Sequence, residues 1–383
     1  MRALIHFPED VIAPTGGPPG YLFNLRRGLE EIREERFEFL PAAGAQLERN
    51  GMLRRIVPER MKDIRRLRNL LSLPSKDLPA CVDYSQYDAI HFHFTKDLYA
   101  RRKVLEGYRG KVLLTSHSPL IYHKELISKL NPKDVKKHAK ELAKLEIIDH
   151  YAFERADAVI FPCREAEEPY FNTWSKYAVV RDEAKMHYVP TGIQPCVAKV
   201  SRREVRERHG IPNDAPLMCY VGRHNHIKGY DVLVEMALPL LDEFDAWMIV
   251  AGREGPLSAP SHPRWIEVGW TDDPHSVIAA SDVFCLPNRE TYFDLIFLEV
   301  LSLGMPIVAS RTGGNKYFAR FGLAGVNLYD SSEEFRFSVN RALSMSGEER
   351  GASGKANRDL FDERFSCAAF AKSYCDAVEG ICV

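Results

Sequence analysis

The segment YVGRHNHIKGYDVLVEMA, residues 220–237, holds the first side chains whose spacing suggests chemistry. An apolar run stops at Gly222, a polar loop carries Arg223 and Lys228, and a helical pattern starts near Tyr230. Open α/β sheets bind ligands at the carboxyl ends of their strands, where loop amides and helix N-termini attract anions. Two cations in such a loop suit a diphosphate, because arginine grips two oxygens at once and lysine acts as a mobile point charge. Taken alone, the same residues read equally well as a solvated basic loop. A second segment, PNRETYFDLIFLEVLSLGMPIVASRTGG at 287–314, sets Glu290 and Glu299 on either side of an aromatic turn that enters a helix. A carboxylate is a good bidentate acceptor for vicinal hydroxyls, on a ribose or on a hexose. Amides at the helix start near Leu295 are placed to face phosphate. Either glutamate alone also fits plain surface solvation, and Gly313-Gly314 also fits an ordinary turn.

These residues need a scaffold that ends strands beside helix starts. Short apolar runs alternate with amphipathic stretches along most of the chain. Strands are predicted at 3–7, 89–94, 112–117 and 158–162, and again at 217–222, 246–252, 265–269, 283–287 and 306–310. Helices are predicted over 20–33, 133–156, 230–241, 274–281 and 294–303, with a charged helical stretch at 201–212 and a terminal helix over 355–380. Strand–helix alternation implies parallel sheets covered on both faces, and continuous apolar strands agree with burial on both sides. The expected organisation is a first domain over 1–195, a second over 196–360, and a terminal helix over 361–383 that packs back toward the first domain.

Composition excludes several classes. With 383 residues, 45% hydrophobic and 27% charged, the chain reads as a soluble multi-domain protein. A formal net charge of -1 gives no global field toward nucleic acid. The opening MRALIHFPED lacks the apolar region of a signal peptide, and no run is long and apolar enough to span a bilayer. The eight cysteines form no C-x-x-C pair and read as reduced core thiols, so a cytoplasmic location is expected. Asp272-Asp273 reads as a solvated turn, and no Asp-x-Asp metal motif occurs.

In order along the chain, GRHNHIKG (222–229), ETYFDLIFLE (290–299), GMPIVAS (304–310) and TGG (312–314) resemble retaining glycosyltransferase family 4. TGGPPGYLFNL (15–25), DAIHFHF (88–94), LLTSH (113–117), ERADAVIFP (154–162) and VPTGI (189–193) carry the resemblance through the first half. It implies the α/β GT-B fold, two Rossmann-like domains with parallel sheets facing across a cleft that holds the active site. It also implies transfer of a hexose-type sugar from a nucleotide-sugar to a hydroxyl of a glycan, lipid-linked or protein acceptor. A UDP-sugar is expected ahead of a GDP-sugar, with no other cofactor and no catalytic metal.

By resemblance, Gly222, Arg223 and Lys228 meet the donor diphosphate, and the backbone near Leu295 and Ile296 contacts its phosphates. Glu299 holds the ribose hydroxyls, and Val268 to Trp270 lie beside the base. Gly16 and Gly17 form the first-domain loop near donor and acceptor, and His117 approaches the transferred sugar. Two positions depart from the family pattern. The place eight residues before Glu299 is Thr291, with Glu290 one step earlier, so either takes the sugar-contacting role. Asp294 stands where glycine is frequent. The competing reading, supported by Thr291, is a catalytically inactive subunit of this fold that binds a partner or glycan.

One stretch departs from the neutral average. Between Arg49 and Arg68 lie Arg54, Arg55, Arg60, Lys62, Arg65 and Arg66, against only Glu59 and Asp63. Met61, Ile64, Leu67 and Leu71 recur at helical spacing among them. Residues 49–71 therefore read either as a surface helix packed on its own domain or as a peripheral contact with an anionic membrane surface.

Overall fold

A computed structural model describes residues 1–7, 12–14, 17–40, 59–117 and 120–383. The chain forms two compact units. The first comprises Met1–Pro162, Pro169–Val189 and Ala371–Val383, and the second comprises Cys163–Glu168 and Pro190–Phe370.

The first unit is a six-stranded parallel sheet of β1 (Ala3–His6), β2 (Phe37–Leu40), β3 (Ala89–Phe92), β4 (Lys111–Leu114), β5 (Ala158–Phe161) and β6 (Met186–Tyr188), in the order β2-β1-β3-β4-β5-β6. β1, β3 and β5 are buried along their whole length, as continuous apolar runs require. Pro18 opens the helix Pro18–Glu31, which buries Tyr21, Leu22, Leu25 and Leu29 at the three- and four-residue spacing of one face. The stretch expected as one helix over 133–156 is three short ones, Pro132–Lys137, Ala139–Ala143 and Glu146–Arg155.

In the second unit, β7 (Leu217–Val221), β8 (Trp247–Ala251), β9 (Trp265–Gly269), β10 (Val283–Leu286), β11 (Ile307–Ser310) and β12 (Val326–Tyr329) form a parallel sheet in the order β12-β11-β10-β7-β8-β9. Each half of such a sheet winds outward from the middle, so the strand order reverses between β7 and β10 and leaves a crevice beyond their carboxyl ends. The helix Arg202–Arg208 is not merely charged surface. Arg206 is wholly buried and donates to the carbonyls of Pro212, Ala215 and Ala280 and to Asp282. Asp282 also accepts the Leu217 amide at 2.9 Å, so this ion pair fixes the start of β7 against β10.

The expected terminal helix is two helices, Gly347–Arg364 and Cys367–Cys382. The break falls where the Phe365 carbonyl accepts the Ile193 amide at 2.8 Å and Ser366 forms a parallel bridge to Ile193. Among the described residues, no helix is long and apolar enough to cross a membrane.

The basic helix Glu59–Ser72 packs on its own unit through part of its apolar face. Leu67, Leu70 and Leu71 pack with Leu130, Leu142 and Leu145, while Met61 and Ile64 stay 59% and 52% exposed. The periodic apolar face therefore splits: its C-terminal half belongs to the core, and its N-terminal half does not. Arg49, Arg54 and Arg55 lie outside the described residues.

Candidate functional site

At the reversal point of the second sheet, the loop after β7 crosses the loop after β10. Gly229 makes the crossing possible, because its φ is +65° and a Cβ there would sit 1.8 Å from the Pro287 carbonyl oxygen. The Arg289 amide donates to Ile227 at 3.0 Å, and the Arg289 guanidinium pairs with Asp231, whose carboxyl it pulls down to about 2. The crossing carries Lys228 to Asp294, the residue before the helix Leu295–Ser302. Asn288 also donates to the Asp294 carboxylate, at 2.7 Å, at the start of the helix Leu295–Ser302. Burial raises the Asp294 pKa, but the Lys228 charge and these hydrogen bonds together hold it below the ordinary value. A lysine ammonium and an asparagine amide converging on one carboxylate at a helix N-terminus form a donor set for an anion. Arg223 is exposed on the same loop, and no described side chain pairs with its guanidinium.

The turn between Asn288 and Asp294 is locked from below. Gly313 has φ +43°, a Cβ on it would lie 1.9 Å from the Thr291 carbonyl oxygen, and the Gly314 amide donates to that same oxygen. Thr291 is buried in this packing, whereas Glu290 is half-buried. Glu168 accepts the Gly313 amide at 3.2 Å and pairs with Lys316.

Glu299 projects from the helix Leu295–Ser302 and meets His275 at 3.1 Å. His275 is set there by Asp273, which caps the helix Pro274–Ala279 through the Ser276 amide, so the expected solvated turn has a structural task. The Cys196 sulfur lies within 4.8 Å of the same imidazole and carboxylate. Together, Cys196 first and Glu299 second, they push the imidazole up to about 10, so it is charged at neutral pH. Val268 lies near the end of β9, and Trp270, 66% exposed, follows it, with the Arg253 guanidinium 5.9 Å from its ring. His224 stacks on Tyr230 at 3.8 Å, and Glu267 accepts from Tyr230 at 2.5 Å and Trp265 at 2.8 Å.

In the first unit, Gly17 (φ +75°) precedes the helix Pro18–Glu31. Gly16 lies outside the described residues. His117, three residues past β4, shares a hydrogen bond with His93 at 2.9 Å and meets the Tyr21 ring edge-on at 4.6 Å. His91 lies 4.2 Å from His93 ring to ring and bonds Thr115 at 2.8 Å and Tyr374 at 2.7 Å. Burial drives His91 and His117 down to about 3, so both imidazoles are neutral at neutral pH.

Residues 215–344 match the family Glycosyl transferases group 1. The second unit is thus similar to the group 1 glycosyltransferases. A D-inositol 3-phosphate glycosyltransferase of Xylanimonas cellulosilytica is 26% identical over 248 residues, covering 60% of this chain and 56% of that protein. The lipopolysaccharide core biosynthesis glycosyltransferase LpsE of Rhizobium meliloti is 30% identical over 129 residues, 32% of this chain and 37% of its own. The chain thus spans about half the length of these relatives, or less. Among solved structures, sucrose-phosphate synthase of Thermosynechococcus elongatus gives a TM-score of 0.63 at 18% identity, with 99% of this chain and 98% of that one covered. Anabaena HepE in complex with UDP-glucose gives 0.64 at 15% identity, with 99% and 100% covered. These likenesses establish the GT-B fold.

The residues named from sequence fall on two units. Gly222, Arg223, Lys228, Val268, Trp270, Leu295, Ile296 and Glu299 lie at or beyond strand ends of the second unit, and Gly17 and His117 lie in the first. Sequence reasoning missed Asn288, His275 and Cys196. Cys196 was expected in the core with the other thiols but is half-buried, as is Cys382, and Cys81 is exposed. The one legible signal was the Asp-Pro pair before His275, which marks a capped helix start.

The histidine cluster sets a pH dependence. His91 and His117 stay neutral in the folded chain down to about pH 3, whereas in the unfolded chain they protonate near the ordinary 6.5. Between those values the unfolded state binds more protons, so stability is full above this window and falls as the pH drops through it. Urea unfolding at pH 7, 6 and 5 is expected to show a falling midpoint, with a shallower fall in His117→Gln. An equal slope in that variant would contradict the assignment.

Proposed function

We propose that this chain transfers a hexose-type sugar, with retention of anomeric configuration, from a nucleotide-sugar to a hydroxyl of a glycan, lipid-linked or protein acceptor. The observation that carries the reading is the anion donor set at the reversal point of the second sheet: Lys228 and Asn288 at the start of the helix Leu295–Ser302, with Arg223 on the same loop. The donor diphosphate takes these donors, Glu299 accepts the ribose hydroxyls, and Val268 to Trp270 border the base. A UDP-sugar is favoured by the UDP-glucose complex of Anabaena HepE. Gly17 and His117 serve the acceptor side.

Leaving-group charge is then met by Arg223, Lys228 and the helix start, fixed before the reaction begins, and catalysis is positioning plus electrostatic stabilisation without a required metal. No side chain acts as covalent nucleophile, and the departing phosphate helps take the acceptor proton. Asp294 enters this account as an internal competitor. Its carboxylate occupies the donors that the diphosphate needs and must yield Lys228 when the nucleotide binds. Glu290 or Thr291 contacts the transferred sugar.

Lys228→Ala is expected to weaken UDP binding by about 1.5–3 kcal/mol, the scale of a charge-assisted hydrogen bond. Asp294→Asn is expected to tighten it by about tenfold, near 1.4 kcal/mol. Calorimetry with UDP checks both, and Glu299→Gln is expected to weaken UDP where Glu290→Gln does not. Full UDP affinity in Lys228→Ala would remove the phosphate assignment, and weaker binding in Asp294→Asn would make that carboxylate a support of the lysine instead of a competitor.

We also propose that the exposed start of the basic helix, with Met61, Ile64, Arg60, Arg65 and Arg66, touches an anionic membrane surface that presents a lipid-linked acceptor. Each basic residue near such a surface contributes about 1 kcal/mol. Salt-sensitive cosedimentation with anionic but not neutral vesicles is expected, and equal absence from both favours a soluble acceptor.

A further inference from the structure

Cys196, His275 and Glu299 each offer one ligand atom, and all three atoms lie within 4.8 Å of one another. The residues come from separate pieces of the second unit: the segment before β7, the first turn of the helix Pro274–Ala279, and the helix Leu295–Ser302. Each is held in place independently. The Cys196 amide donates to the Ser302 hydroxyl at 3.1 Å, and that hydroxyl donates to the Glu299 carbonyl at 3.0 Å. Asp273 takes the Ser276 hydroxyl at 2.6 Å and so fixes the turn that carries His275.

Thiolate sulfur, imidazole nitrogen and carboxylate oxygen are the donors of a borderline-soft divalent cation. Zinc binds them at about 2.0–2.3 Å, so tetrahedral ligands lie about 3.4 Å apart. His275 and Glu299 already stand at 3.1 Å, and all three side chains are half-buried, which leaves a fourth position within reach of solvent.

We propose that Cys196, His275 and Glu299 bind a divalent cation of the zinc class, and that the bound ion takes Glu299 from the ribose and thereby inhibits nucleotide binding. The ion takes the thiolate and the neutral imidazole as ligands, and any proton displaced from them leaves to solvent. The inhibitory half rests on the ribose reading of Glu299 given above, whereas the metal site itself does not.

The test uses the full chain freed of metal and titrated with zinc chloride by calorimetry, and then with UDP in the presence of EDTA or of saturating zinc. One equivalent of zinc is expected, with at least tenfold weaker binding in Cys196→Ser and in His275→Ala. Cobalt(II) in place of zinc is expected to give a thiolate-to-metal charge-transfer band that Cys196→Ser abolishes. Zinc is expected to weaken UDP binding at least tenfold in the wild-type chain and not in Cys196→Ser, whose UDP affinity in EDTA matches the wild type. Zinc affinity unchanged by both substitutions overturns the site. Zinc held through Cys196 and His275 with no effect on UDP overturns the inhibition alone and counts against Glu299 as the ribose acceptor. UDP binding indifferent to Lys228→Ala would sink the nucleotide site while leaving the metal site standing.

Discussion

The second unit depends on one close approach, the backbone of Gly229 against the carbonyl of Pro287. Strand order reverses between β7 and β10, so the loops leaving them must pass each other at the sheet edge. Any side chain at position 229 would collide with the Pro287 oxygen, and the positive φ there strains every residue but glycine. With the loops in contact, Lys228 reaches across to Asp294, Arg289 bonds back to Ile227, and the N-terminus of the helix Leu295–Ser302 faces the crossing. The anion donors are therefore a consequence of packing and are in position before any ligand arrives.

In this state the charges satisfy one another. Asp294 answers Lys228, Asp231 answers Arg289, Glu168 answers Lys316 and the Gly313 amide, and His275 answers Glu299. A half-buried cation without a partner would be costly, and internal carboxylates remove that cost while keeping the donors oriented. Under the proposed function, the affinity for a diphosphate is a difference between two anionic ligands, one internal and one arriving. Asp294, held by Lys228 and Asn288, sets the electrostatic balance of the crossing.

Much of this fold is legible in the sequence because central parallel strands are apolar from end to end. The strands that escape detection are β2, β6 and β12, all at sheet edges. Phe37-Glu38-Phe39-Leu40 and Val326-Asn327-Leu328-Tyr329 are partly open to solvent, and Met186–Tyr188 is three residues long, so none shows a continuous apolar run. The terminal break at Phe365–Ser366 is invisible for a different reason, since it is imposed by pairing with Ile193, far away in sequence. At the site, Lys228 and Glu299 stand out as charged residues at predictable strand and helix ends. Their partners Asp294, His275 and Cys196 do not, because a pairing across 66, 24 or more residues has no local signature. Arg206 shows the same limit: an arginine in a charged helical stretch reads as surface, and only the four carbonyls and Asp282 around it reveal a buried strut.

The central claim is that a nucleoside diphosphate binds where the loops after β7 and β10 cross. Hydrogen–deuterium exchange with and without UDP tests it most directly, because loop amides that contact phosphate lose exchange on binding. Protection confined to 222–229, 268–270 and 288–299 is the predicted result. Protection that avoids those segments, or that falls on the first unit alone, would contradict it.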